Sequence, residues 1–136
     1  MALTDPGSGR TTLDSGRGTQ PQKVTMAEAC KAGDVLGYSS GWKRALATVG
    51  TAIQGRVVAL RDGATGEEVA VSANPVIGGY SGATPGGYVY VAEGTSNGEV
   101  TETAPSTSGD CNTIIGIALS ATSVMFFLNS RADSTA

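Results

Sequence analysis

Histidine is absent from this 136-residue chain. Its absence removes the commonest general base near neutral pH and the commonest metal ligand. It also removes the Ser-His and Cys-His nucleophile arrangements. Aromatic residues are only 5% of the sequence, so the core must be built from Val, Ile, Leu and Ala. Such a core suits thin β layers better than a large ligand cavity. No run of 18 apolar residues occurs, so no transmembrane helix and no membrane partner are expected. The N-terminus lacks a basic region followed by an apolar stretch, the mark of a secretory signal. The expectation is a chain made and folded in a cytoplasm. Only two cysteines are present, Cys30 and Cys111, and their wide separation matches no metal-spacing motif. They read as small hydrophobes, with a bridge possible only if the fold brings them together.

Charge is sparse and unevenly placed. Residues 1–61 hold eight basic and four acidic residues, a balance of +4, and residues 62–136 hold one basic and eight acidic, a balance of −7. A β fold can mix such halves in space. The functional reading is a molecule basic at one end that docks on an acidic or mixed protein surface. No basic stripe is interleaved with aromatics, so nucleic acid is not an expected partner.

What the chain does have is glycine, and short apolar runs between glycine-rich turns. Val35 to Tyr38 reads as a strand, Ser39-Ser40-Gly41 turns it, and Trp42 to Thr48 returns. Arg56 to Leu60 and Glu67 to Ser72 flank a turn at 62–66. Asn74 through Gly87 reads as a Gly/Pro-rich connector. Tyr88 to Ala92 is a strand, followed by Asn97-Gly98, a strong hairpin signal. Glu99 to Thr103, Thr113 to Leu119 and Val124 to Leu128 complete the set, the last two as continuous apolar runs expected of doubly buried strands. Residues 33–72 and 86–128 follow a similar plan, a faint internal duplication. Residues 24–32 fit either a short helical turn or extended structure, and the following Gly33-Asp34 turn favours the extended form. The expected fold is all-β, a compact barrel or sandwich of short antiparallel strands over 24–129. Residues 1–23, polar and poor in large apolar side chains, read as a flexible arm that orders on a partner. Residues 130–136 read as a polar tail.

Few residues suggest chemistry. Asp62, Glu67 and Glu68 cluster at a hairpin turn, where carboxylates are solvated rather than held in the contrasting environments of acid-base catalysis. Asp110-Cys111 has no basic activator nearby in sequence. Gly78-Gly79 and Gly86-Gly87 lack the Lys-Ser/Thr or helix of a phosphate loop. No catalytic, cofactor or metal residue is expected. Trp42, followed by Lys43 and Arg44, is a half-buried cover of the core or an interface anchor flanked by charge. Phe126 and Phe127 are consecutive and must face opposite sides of a strand, so one is core and the other needs a second layer or another subunit.

The segments Ala32-Gly33-Asp34-Val35, Gly55 to Leu60 and Ala64 to Val71 resemble the small capsid decoration, or cement, proteins of tailed bacteriophages. Gly87 to Val91, Thr103 to Ser106, Ile115 to Leu119 and Val124 to Phe127 are similar to modules of phage head and fibre proteins. The resemblance implies a β-rich, non-enzymatic subunit on the outer surface of the virion. Its partner would be the major capsid protein, which it binds as a homo-oligomer, often a trimer, to stabilise the expanded shell. Capsid contacts would then be Arg10, Arg17 and Lys23 of the arm with Trp42, Lys43 and Arg44. Phe126 and Phe127 would supply the oligomer interface. The alternative is a fibre or adhesin module that binds host-surface glycans through its exposed aromatics.

Overall fold

A computed structural model of the chain describes residues 3–16, 22–128 and 132–136. Over these residues the fold is all-β. The strands are β1 (Thr11–Asp14), β2 (Gln22–Thr25), β3 (Val35–Tyr38), β4 (Trp42–Arg44), β5 (Val57–Ala59), β6 (Glu68–Ser72), β7 (Val76–Gly78), β8 (Tyr88–Val91), β9 (Val100–Thr101), β10 (Gly116–Ala118) and β11 (Ser123–Phe126). They form two antiparallel sheets in a sandwich-like arrangement, a six-stranded one ordered β1-β7-β11-β10-β8-β9 and a five-stranded one ordered β2-β6-β5-β3-β4.

The internal duplication is visible in this order. Without β1, the larger sheet runs β7-β11-β10-β8-β9, the same path that the smaller sheet takes through β2-β6-β5-β3-β4. The first unit is therefore β2 to β6 and the second β7 to β11, each starting one strand earlier than the sequence similarity suggests. Registers agree: Val35 faces Val58 and Leu36 faces Val57, as Tyr88 faces Ile117 and Val89 faces Gly116. Backbone bonds outside the ladders agree too. The Gly33 N–H donates to the Ala59 carbonyl and the Gly86 N–H to the Ala118 carbonyl, both at 2.7 Å. These two glycines have φ of 88° and 82°, a left-handed turn that a side chain would strain.

Burial explains why some strands are continuous apolar runs. Met26, Cys30, Leu36, Ala59, Val69 and Val71 form the core of the first unit. The larger cluster gathers Ile77, Val89, Ala118, Val124 and Phe126 of the second unit. It also takes in Val35 and Val58 from the reverse face of the first unit's sheet. Neighbours in sequence such as Val35 and Leu36 are thus both fully buried, on opposite faces. The second unit covers the back of the first.

Three expectations change. The arm is built into the fold over its described residues: Leu3 lies in the larger core cluster, β1 pairs with β7, and β2 pairs with β6. Polar composition misleads here because one buried side chain, Leu3, and the charges at Asp5 and Arg10 are enough to fix the segment. The connector at 74–87 holds β7, which pairs with both β1 and β11. The polar tail is tied down over 132–136, where Cys111 bridges to Thr135 and the Asn112 N–H donates to the Ser134 carbonyl at 3.1 Å. Residues 24–32 are extended, with strand β2 and isolated bridges at Met26 and Cys30.

Candidate functional site

The guanidinium of Arg10 makes four hydrogen bonds, and its side chain has 0% exposure. Its Nη1 donates to Asp5 Oδ2 at 3.1 Å and to the Gly33 carbonyl at 3.3 Å. Its Nη2 donates to the Gly7 carbonyl at 3.2 Å and to the Asp34 carboxylate. Asp5 Oδ2 also accepts the Val100 N–H at 3.0 Å, and Asp34 Oδ2 accepts the Lys31 N–H at 2.8 Å. Burial acts to lower the Arg10 pKa, but Asp5 and Asp34 outweigh it and hold the guanidinium above its usual value. Burial also pushes the Asp34 carboxyl up, against the Lys31 N–H and Arg10. The Tyr80 hydroxyl, buried nearby and without a well-formed hydrogen bond, is pushed up by burial and then by Asp5. This network joins the N-terminal segment to both units, so its role is structural. Arg10, expected to touch a capsid, is instead buried, its guanidinium held by Asp5, Asp34 and two backbone carbonyls.

An open cleft of about 410 Å³ lies at one end of the first unit, lined by Cys30, Lys31, Asp34, Arg44, Asp62 and Glu67 among others. Its charges are occupied with each other and with the backbone. Arg44 Nε is 3.0 Å from Glu28 Oε2, and Lys31 Nζ is 3.8 Å from Asp62 Oδ2. Asp62 accepts the Ala32 N–H at 2.9 Å, tying two distant segments together, and Glu67 accepts the Ala64 N–H at 2.7 Å within its turn. Burial, then Asp34, pushes the Cys30 thiol up to about 11, so it stays protonated and unreactive near neutral pH. Cys30 and Cys111 are both free, each buried in a different core cluster. Among the described residues, no group of three or more His, Cys, Asp or Glu is arranged to hold a metal.

The remaining sequence candidates lie mainly on the first unit. Trp42 is half-buried against its core and packs edge-to-face on the exposed Tyr38, ring centroids 5.6 Å apart. Lys43 and Arg44 follow on the same strand, each partly exposed. Lys23 is exposed on β2, the outermost strand of its sheet. Arg17 lies outside the described residues. Phe126 is core, at 0% exposure, and so is excluded from an intersubunit contact, whereas Phe127 is half-buried. Of the aromatics that a glycan-binding reading would need exposed, Tyr38 and Tyr88 are the two most exposed rings, while Tyr80 is buried. At the C-terminus, Arg56 pairs with Asp133 through two bonds of 2.5 and 2.7 Å, and Arg56 holds the Asp133 carboxyl below its usual range. Comparison with known protein families, with curated proteins and with solved structures finds no match.

Proposed function

We propose that this chain is a structural protein of a tailed-bacteriophage head, bound to the outside of the capsid and stabilising the expanded shell. The observation that supports this reading best is the division of surface chemistry between the units. The first unit, 22–72, carries Lys43 and Arg44 next to Trp42 on β4 and Lys23 on β2, together with the acidic Glu28, Asp34, Asp62, Glu67 and Glu68, while no Lys or Arg occurs between 76 and 126. A mixed-charge surface that holds most of the basic residues of the chain, with an aromatic on the same strand, suits docking on an acidic or mixed protein surface. A subunit that binds across capsid junctions only in the expanded state stabilises that state by linkage. The sequence resemblance to cement proteins points the same way.

The test is co-sedimentation of the purified protein with expanded and unexpanded heads of the parent phage. Binding is expected to expanded heads only, and Lys23→Glu with Lys43→Glu should weaken it at least about tenfold. Equal binding by the charge-reversed protein, or none by the parent, overturns the reading. The edge-to-face pair of Tyr38 and Trp42 favours a second reading, a module that stacks on host-surface glycans. Polysaccharide binding lost in Trp42→Ala, with no binding to heads, would select it.

A further inference from the structure

The interface between the two units is built from parts that recur, uncovered, elsewhere on the molecule. On the first unit the receiving surface is Val35 and Val58, paired across β3 and β5 and both fully buried. The docking element is the β8–β9 hairpin of the second unit. Its Val91 closes around Gly55 together with Val35 and Leu128. Its tip residue Gly98 accepts the Val35 N–H at 2.9 Å and donates to the Ala45 carbonyl at 2.8 Å, while the Val35 carbonyl accepts the Ala45 N–H at 2.8 Å. Val35 is therefore bonded on the side of its strand that faces away from β5.

The registers of the duplicated ladders identify the equivalents. Tyr88 stands where Val35 does and Ile117 where Val58 does. Tyr38 stands where Val91 does, since Tyr38 faces Trp42 as Val91 faces Val100. Yet Tyr88 is 52% exposed and Tyr38 65% exposed. The backbone of the hairpin tip is uncovered as well. Among the described residues the peptide of Ser40, the equivalent of Gly98, makes no backbone hydrogen bond with another part of the chain. The first unit thus carries a hairpin that is held on one edge by the Ala27 N–H to the Trp42 carbonyl but leaves Tyr38 exposed, and the second unit a receiving strand that leaves Tyr88 exposed.

We propose that these two surfaces bind each other between chains: the β3–β4 hairpin of one chain docks on the Tyr88–Ile117 surface of the next. The occupant is a second copy of this chain, because the contact extends the one already made between the units. It is heterologous, so the chains join head to tail and form a closed ring or a filament. The Ser40 carbonyl takes the role of the Gly98 carbonyl toward the Tyr88 N–H. Phe126 has no part in it. The inference rests on the duplication and is independent of the capsid reading.

Sedimentation of the purified protein tests it. The parent should associate beyond a monomer as concentration rises. Tyr38→Asp and Tyr88→Asp should each sediment as monomers with unchanged circular dichroism, since both side chains are more than half exposed. Mixed in equal amounts, the two variants should form a dimer and nothing larger, because each retains the surface the other lacks. Should an aspartate variant fail to fold, Tyr38→Ser and Tyr88→Ser replace the pair. A parent that stays monomeric at high concentration, single variants that associate as the parent does, or a mixture that stays monomeric each overturns the proposal.

Discussion

At the residue scale, one buried ion pair network sets the geometry of the N-terminal segment. Arg10 satisfies two carboxylates and two carbonyls at once, and Asp5 passes the connection on to Val100 of the second unit. Such a network is weak evidence for net stability, but removing its cation leaves two carboxylates buried and unpaired. Arg10→Met should therefore destabilise the protein by about 3–5 kcal/mol. Chemical denaturation of both proteins reads this directly. A loss below about 1 kcal/mol, the range of a surface pair, would show that Arg10 is solvated instead. None of this was legible beforehand. Arg10 and Asp34 are 24 positions apart, and an Arg in a Gly/Ser/Thr-rich stretch reads as an exposed charge.

At the element scale, legibility followed apolar content. The runs Val35 to Tyr38, Tyr88 to Val91 and Val124 to Phe126 announced themselves because each has a side facing a core. β1 did not: Thr11 and Asp14 are exposed, and its pairing with β7 is supported by neighbouring charges rather than by its own side chains. β7 was hidden for a different reason. It has only Val76–Gly78, just after Pro75, and only its place between β1 and β11 makes it a strand. The pair Phe126 and Phe127 was read correctly as facing two environments, but not for which ring was core. Phe126 now has that place, so Phe126→Ala should cost about 3–5 kcal/mol. Phe127→Ser, from a half-buried site, should cost roughly half as much or less. Paired denaturation curves check the order, and a costlier Phe127 variant would reverse the assignment of faces.

At the scale of the whole molecule, the duplication leaves an asymmetry that β1 and the N-terminal segment resolve. Each unit repeats five strands in one order, yet only the second gains an extra strand, β1, beside β7. The same segment sends Leu3 into the larger core and bridges Thr4 to Ser81. It also ties Thr12 to the Leu60 carbonyl of the first unit at 3.3 Å. An arm that only orders on a partner could be removed without loss of stability. A segment that closes both units cannot. Deleting residues 1–16 opens the outer edge of β7, removes Leu3 from the core, and leaves Asp34 buried without its guanidinium. The truncated chain should melt well below the full chain, or fail to accumulate in soluble form, in the absence of any partner. Thermal unfolding by circular dichroism decides it. An unchanged melting temperature would mean that the segment contributes nothing to the isolated fold, and the free-arm reading would stand after all.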